Sequence, residues 1–159
     1  MKKIILGLLA IATLSVAAPA APLATLPAFQ LQDLEGKIHP SSEFAGKPLL
    51  VDFWATWCAT CKETVPQLVE IQSKYKTKGL AVVGISVDKG ENGKVERGAK
   101  KLGITYQVLH DAESTLAPTF GYNGIPSLYL FGADGKLLLS LQGYDPGQEK
   151  KLVEALDKL

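Results

Sequence analysis

Two apolar segments, 48–54 and 80–87, constrain the fold more strongly than any other feature of this chain. Each has the length of one strand and only Asp52 interrupts the first, which is typical of strands buried on both faces of a sheet. Between them, apolar residues recur at helical spacing over residues 61–69. Two buried strands joined by a helix predict a βαβ unit, and therefore an α/β fold.

The remaining pattern completes one domain around this unit. A chain of 159 residues with 47% hydrophobic content is long enough for one well-buried core and short for two. The other predicted elements are a small hairpin in 27–40 that precedes the main domain, a helical turn in 41–46, helices in 95–102, 112–120 and 148–159, and strands in 106–110, 127–131 and 136–141.

The first twenty residues have the pattern of an export signal. Two lysines precede an apolar stretch that ends in small residues at Ala20. We predict a signal peptide at 1–20, cleaved after Ala20. An uncleaved anchor is the alternative, because no charge follows the lysines until Asp33, although the strongly apolar part is shorter than the roughly 20 residues of a spanning helix.

In either case, the domain predicted at 27–159 faces an oxidising compartment such as a periplasm. No cysteine follows the apolar stretch, which excludes a lipid anchor on a leader cysteine. The charge is nearly balanced, with 17 basic and 16 acidic residues, and predicts no nucleic-acid-binding surface.

The chain contains only two cysteines, Cys58 and Cys61, so no framework of structural disulfides is available and both thiols belong to one site. They directly follow the first buried strand and begin the predicted helix, where unpaired backbone N–H groups favour a thiolate. Residues three apart on a helix are neighbours, so the two sulfurs can form an intramolecular disulfide. Cys58, at the exposed helix start, is predicted to attack a substrate disulfide, and Cys61, on the buried face, to resolve the mixed disulfide.

A zinc site is the alternative interpretation of the two cysteines. Zinc usually takes four ligands, and only His39 and His110 are available to join the pair. Two neighbouring thiols in an oxidising compartment would form a disulfide unless a reductant acts on them. We therefore predict a redox-active centre with no bound metal and no cofactor.

The segment Val-Asp-Phe-Trp-Ala-Thr-Trp-Cys-Ala-Thr-Cys-Lys at 51–62, with Pro66 beyond it, resembles the thioredoxin superfamily. Residues 124–127 are similar to the cis-proline loop of that superfamily, and the resemblance covers roughly residues 27–159. It implies a thioredoxin fold, with a central mixed β-sheet flanked by helices and an N-terminal hairpin. Residues 88–111 resemble the inserted helix and strand of the TlpA/ResA-type branch.

Members of this branch are commonly exported, often membrane-tethered, and reduce disulfides in partner proteins, frequently apocytochromes awaiting haem. The resemblance therefore implies a periplasmic or otherwise extracytoplasmic protein-disulfide reductase, a thiol-disulfide oxidoreductase that serves cytochrome c biogenesis or other envelope proteins. A membrane electron donor would recharge it, and an uncleaved leader would tether it.

Three alternatives remain beside this interpretation. A disulfide-forming oxidant would use the same cysteines, but no histidine lies between them to stabilise a thiolate. A copper-binding metallochaperone of the same fold could use Cys58, Cys61 and His110, although the two-residue spacing of the cysteines argues against it. A peroxidase would require one peroxidatic cysteine in a Thr-x-x-Cys setting, which the cysteine pair does not supply.

The resemblance also implies roles for residues around the cysteines. Asp52 matches the buried acid that accepts a proton from the resolving thiol. A carboxyl in an apolar strand should have a raised pKa, which suits that role. The alternative is a core acid with no catalytic part. Pro126 matches the cis-proline, which leaves the backbone of Ile125 free to pair with an extended substrate segment; an ordinary trans proline is the alternative. Trp57 is predicted at the exposed, substrate-binding rim, and Trp54 in the core.

Overall fold

A computed structural model describes residues 23–159, and within that range seven strands form one mixed sheet in the order β2-β1-β5-β4-β3-β6-β7. Helices lie on both sides of the sheet core. The strands are β1 (Gln30–Asp33), β2 (Ile38–Pro40), β3 (Leu49–Trp54), β4 (Ala81–Ser86), β5 (Gln107–His110), β6 (Ser127–Phe131) and β7 (Leu137–Gln142). The helices are α1 (Ala59–Tyr75), α2 (Asn92–Leu102), α3 (Ala117–Phe120) and α4 (Pro146–Asp157). A short 3₁₀ turn covers Ser41–Phe44.

The predicted βαβ unit is confirmed at the centre of the sheet. β3 pairs parallel with β4, and α1 connects them. β4 pairs with one edge of β3 and β6 pairs antiparallel with the other. Apolar clusters cover both faces of the sheet here, so every residue of β3 is buried. In this register Asp52 lies opposite Gly84 of β4 and Leu128 of β6. The chain then leaves the carboxyl end of β3 and enters the loop that carries Cys58.

Alternate residues of β3 point to opposite faces of the sheet, as strand geometry requires. Phe53 packs on one face with Phe120 and Tyr129, and its ring centroid is 4.9 Å from that of Phe120. Leu50 packs on the other face with Leu68 of α1. Asp52 shares the face of Leu50, so its carboxyl is buried on the side of the sheet that α1 covers.

The N-terminal hairpin, predicted to precede the main domain, is part of its sheet. β1 pairs antiparallel with β5, with Gln32 opposite His110, so the hairpin extends the sheet at one edge. Upstream of it, the N–H of Leu26 donates to the carbonyl of Gly135 at 2.8 Å, and the N–H of Leu137 donates to the carbonyl of Ala24 at 2.9 Å. Contacts with the sheet therefore begin before residue 27.

The helix predicted at 112–120 is wrong in length, since only Ala117–Phe120 is helical. The carboxylate of Asp111 accepts bonds from the N–H groups of Thr115 at 2.8 Å and Leu116 at 3.0 Å. Ser114 has a positive φ of 51°. These side-chain bonds hold a turn where the apolar pattern predicts the first turns of a helix.

The predicted signal peptide at 1–20 lies outside the described residues. From residue 23 to the end of the chain, no helix has the length and apolar character needed to cross a membrane.

Candidate active site

Cys58 and Cys61 form a disulfide, with an S–S distance of 2.07 Å. Cys58 occupies the N-cap position of α1 in an extended backbone conformation, and its Sγ accepts a hydrogen bond from the backbone N–H of Cys61 at 3.1 Å. N-cap side chains satisfy the free N–H groups of the first turn. In the reduced protein, the same N–H and the positive end of the helix dipole favour a thiolate at Cys58.

The two cysteines differ in exposure less than the sequence predicts. Cys61 is 1% exposed, as expected for the inward face of α1, but Cys58 is only 6% exposed. The prediction of an exposed Cys58 is therefore wrong for the oxidised protein, because both cysteines pack into one apolar cluster with Trp54 and Ala55. The neighbouring Trp57 is 63% exposed, which confirms its predicted place on the rim.

Asp52 lies in the middle of β3 and is 1% exposed. The hydroxyl of Tyr106 donates to its Oδ2 at 3.4 Å, and its Oδ1 has no hydrogen-bond partner among the described residues. Burial raises the pKa of Asp52 to about 7, and the Tyr106 bond opposes this rise. This is the direction of shift that a carboxyl in an apolar strand predicts.

The loop that carries Trp57 and Cys58 is fixed by a second acid, Asp88, which no sequence pattern marks as a site residue. Its fully buried carboxylate accepts bonds from the Thr56 N–H at 2.7 Å and the Thr56 hydroxyl at 2.6 Å, and pairs with Lys94 at 2.8 Å. Burial acts to raise its pKa, but the bonds from Lys94 and Thr56 hold the pKa of Asp88 below its usual range. Asp88 is therefore a charged anchor for the loop.

The helix α2 packs closely against this loop at Gly98, where the side chain of Thr56 contacts the helix. A Cβ added to Gly98 would collide with the side chain of Thr56. Gly98 thus allows α2 to pack directly against the residue that Asp88 holds.

The Ile125–Pro126 peptide bond is cis. Ser127 directly follows it and pairs with Phe53 of β3, so this loop lies at the same end of the sheet as the cysteines. Ile125 is partly buried and packs against the cluster that contains the disulfide. A groove of about 710 Å³ runs between Trp57 and Ile125; its other lining residues include Val87, Lys89, Ala117 and Tyr122. The structure therefore places Trp57 and Ile125 on one groove, with Ile125 against the cluster that holds the disulfide and the cis Pro126 directly after it.

The two histidines are engaged elsewhere. His110 has its Nδ1 at 2.6 Å from Oδ1 of Asn92 and its Nε2 at 2.7 Å from the carbonyl oxygen of Asp88. His39 lies between the carboxylates of Asp33 and Glu43, each at 2.8 Å. Within residues 23–159, no group of three or more His, Cys, Asp or Glu side chains is arranged to hold a metal ion.

Sequence reasoning also misses Tyr106, whose side chain reaches Asp52 from the far side of β4. The one signal for such a contact is Gly84, a glycine inside a strand that is otherwise rich in large apolar residues. A glycine in a buried strand often marks a close approach by another group.

Comparisons with known proteins show the family and the fold of this chain. The model of the AhpC/TSA family matches residues 23–140. The thiol-disulfide oxidoreductase ResA of Bacillus thuringiensis subsp. konkukian is 30% identical over 133 residues, which cover 84% of this chain and 75% of that protein. ResA of Geobacillus thermodenitrificans is 29% identical over 119 residues, covering 75% of this chain and 68% of that protein.

Solved structures show the same fold. A protein from Chlorobium tepidum, provisionally named a DsbE thiol:disulfide interchange protein, superposes with a TM-score of 0.79 at 26% identity, covering 87% of this chain and 96% of the other. A thiol:disulfide interchange protein of the thioredoxin family from the same species gives a TM-score of 0.71 at 25% identity, covering 89% and 98% of the two chains. Because the family model spans most of the chain and the ResA proteins share its cysteine-centred domain, this chain belongs to the AhpC/TSA family and is a ResA-like thiol-disulfide oxidoreductase with the thioredoxin fold.

Proposed function

We propose that this protein is exported and reduces disulfides in other extracytoplasmic proteins by dithiol-disulfide exchange. The observation that carries the proposal is the position of the two sulfurs. Cys58 Sγ accepts the Cys61 N–H at the start of α1, while Cys61 faces the core. An attacking thiol needs a lowered pKa, which the start of a helix favours, and it must lie nearer the surface than the resolving thiol; Cys58 is 6% exposed and Cys61 1%.

The proposed exchange has two steps. The Cys58 thiolate attacks one sulfur of a substrate disulfide, which forms a mixed disulfide and releases the other substrate sulfur as a thiolate that takes up a proton. Cys61 then loses its proton and attacks Cys58 Sγ, which forms the Cys58–Cys61 disulfide and releases the second substrate thiolate. The substrate gains two electrons and two protons, and the protein dithiol loses them.

Asp52 is the proposed acceptor of the Cys61 proton. It is buried on the sheet face that α1 covers, and α1 carries Cys61 on its inward side. With a pKa of about 7, Asp52 is partly ionised at neutral pH and still basic enough to take a proton.

The substrate is proposed to bind as an extended segment across the groove beside Trp57. Strand pairing with β3 begins at Ser127, so the backbone of Ile125 lies beyond the paired residues of β6. That backbone would pair with the substrate main chain, and Pro126 and the exposed ring of Trp57 would flank the disulfide under attack.

The direction of the reaction, its location and its partners are parts of the same proposal. The export pattern of residues 1–20 supports a periplasmic or other extracytoplasmic site, with the leader as a tether if it is not cleaved. Apocytochromes awaiting haem are the proposed substrates, which would make the protein part of cytochrome c biogenesis. A reductant in an oxidising compartment must be recharged, so we propose a membrane protein as electron donor.

The first experiment is to measure the reduction potential of the Cys58–Cys61 couple in the domain from residue 23 onward and in the full chain, equilibrated against glutathione or dithiothreitol buffers. A value below about −220 mV would support a reductant, and one near −120 mV would identify a disulfide-forming oxidant instead.

A trapping experiment tests the order of attack. The Cys61→Ser variant, offered a disulfide-bonded protein, should accumulate a mixed disulfide through Cys58, because the resolving thiol is absent. The matched Cys58→Ser variant should accumulate much less, since Cys61 lies deeper than Cys58 (1% against 6% exposed) and is not at the N-cap of α1. Equal trapping by both variants would contradict the assigned roles.

A further inference from the structure

We propose that Tyr106 is a positioning residue for the redox reaction. Its side chain crosses β4 where Gly84 leaves space and bonds Asp52, which holds Asp52 ready to accept the proton of Cys61. This inference rests on the proposed role of Asp52. It assigns a function to Tyr106, which directly precedes β5, and to Gly84 of β4.

The route of the Tyr106 side chain follows from the sheet order. β4 lies between β5 and β3, so a side chain from the start of β5 must cross β4 to reach Asp52. It crosses at Gly84, which is paired with Asp52 in the parallel register. Tyr106 is 5% exposed, and its hydroxyl ends 3.4 Å from Asp52 Oδ2.

Gly84 is required for space. A Cβ at this position would lie 2.9 Å from Cε2 of Tyr106 and 3.0 Å from Nε1 of Trp54. Both distances are shorter than an ordinary carbon contact of about 3.5 Å. Any larger residue at Gly84 would therefore displace the Tyr106 ring or the Trp54 indole.

The hydroxyl of Tyr106 acts on one protonation state of Asp52 more than on the other. A hydrogen bond to a carboxylate is charge-assisted and stronger than one to a neutral acid, so the contact favours ionised Asp52 against the effect of burial. Burial, together with the nearby Asp52, also raises the pKa of Tyr106 well above its ordinary value. Tyr106 therefore remains a hydrogen-bond donor over the whole working pH range.

The other groups that face Asp52 do not provide this bond. Tyr144, from the loop before α4, has a pKa raised by burial, then by Glu149 and then by Asp52, which lies close enough to contribute. Its hydroxyl has no hydrogen-bond partner among the described residues. Cys61, on α1, is the proposed proton donor. Tyr106 is thus the one described side chain that donates a hydrogen bond to Asp52.

The consequence concerns the pH at which the resolving step operates. Without the Tyr106 hydroxyl, Asp52 stays protonated to a higher pH, and a protonated Asp52 cannot accept the proton of Cys61. A hydrogen bond of ordinary net strength changes an equilibrium by about 2- to 10-fold, which corresponds to roughly 0.3 to 1 pH unit. The Tyr106 bond is long at 3.4 Å, so its effect should lie toward the lower end of this range.

The test compares Tyr106→Phe, which keeps the ring and removes the hydroxyl, with Tyr144→Phe as the matched control. The titration of Asp52 is followed by carboxyl-carbon NMR in the oxidised protein. The oxidation rate of the reduced protein by oxidised glutathione is followed by tryptophan fluorescence from pH 5.5 to 9. Tyr106→Phe should move both midpoints upward by about 0.3 to 1 pH unit and slow oxidation about 2- to 10-fold at pH 6.5, with little effect at pH 9. Tyr144→Phe should move neither midpoint.

The outcomes separate this inference from the proposed function. If Asp52→Asn leaves the pH profile unchanged, the proposed role of Asp52 is wrong, and the role of Tyr106 with it. If Asp52→Asn alters the profile but Tyr106→Phe does not, only the inference fails. A uniform loss of rate at every pH in Tyr106→Phe would show a merely structural role and overturn the inference. Gly84→Ala, which displaces the ring, should shift the NMR titration in the same direction; an unchanged titration in a folded variant would also overturn it.

Discussion

Replacing Asp52 by asparagine should remove a pH-dependent cost of folding. In the unfolded chain, Asp52 ionises near its ordinary value of 3.8, whereas in the folded protein burial keeps it protonated until about pH 7. Between these values the folded state binds more protons than the unfolded state, so stability falls as the pH rises through this window.

The size of the effect follows from the shift. From 3.8 to about 7 is roughly three pKa units, and each unit corresponds to about 1.36 kcal/mol, so the ionisation of Asp52 costs about 4 kcal/mol above pH 7. An asparagine side chain at this position cannot ionise. The free energy of unfolding of Asp52→Asn, relative to the wild type, should therefore increase by about 4 kcal/mol between pH 4 and pH 8. Constant effects of the amide, such as an unsatisfied N–H, cancel in this comparison.

Urea unfolding of the oxidised proteins, followed by tryptophan fluorescence at half-unit pH intervals, measures this difference directly. The other titrating groups contribute equally to both proteins and cancel. Glu63→Gln, which removes an exposed carboxylate from α1, is the control and should show a flat difference. If the Asp52→Asn difference also stays within about 1 kcal/mol from pH 4 to 8, the carboxyl does not titrate as its burial requires, and its role as a proton acceptor loses its physical basis.

Two further predictions concern residues outside the cysteine pair. The hydrogen bond between His39 and the carboxylate of Asp33 raises the pKa of His39 and lowers that of Asp33. The His39 contribution to stability should be fully present below about pH 6.5 and lost as the pH rises through its raised pKa. His39→Gln should therefore destabilise more at pH 6 than at pH 9 in urea unfolding. Gly98→Ala should lower stability by about 1–3 kcal/mol, because the new Cβ meets the loop before the cysteines, whereas Gly93→Ala, in the same helix with only an arginine tip nearby, should be neutral or stabilising. Equal melting temperatures for the two alanine variants would contradict the close packing of Gly98.

The sequence predicts best those features that depend on local pattern. The apolar runs predict β3, β4 and the helix between them, because burial on two faces leaves a continuous apolar segment. The cysteine spacing also predicts the disulfide from local pattern, because residues three apart in a helix are neighbours within one turn. The raised pKa of Asp52 follows from a carboxyl placed in an apolar strand.

Features that depend on contacts between distant segments are not predicted. The hydroxyl of Tyr106 reaches Asp52 from 54 residues away in sequence, across an intervening strand. The near burial of Cys58 depends on packing against Trp54 and the helix α2, which helical periodicity does not report. The turn at Asp111 replaces predicted helix because its carboxylate bonds the backbone, and composition alone does not show whether an aspartate will do so.

Asp52 of β3 and Asp88, which follows β4, show why residue type alone does not assign the role of a buried acid. Both Asp52 and Asp88 are buried, but Asp88 receives bonds from Thr56 and Lys94, while Asp52 receives one long bond from Tyr106. The pKa of Asp88 is consequently lowered and that of Asp52 raised to about 7. An acid that holds a loop must keep its charge at every working pH, whereas an acid that moves a proton must change its charge near ambient pH. The number of hydrogen bonds that each carboxyl accepts therefore separates an anchor from the proposed proton acceptor, and that number is set by the tertiary structure.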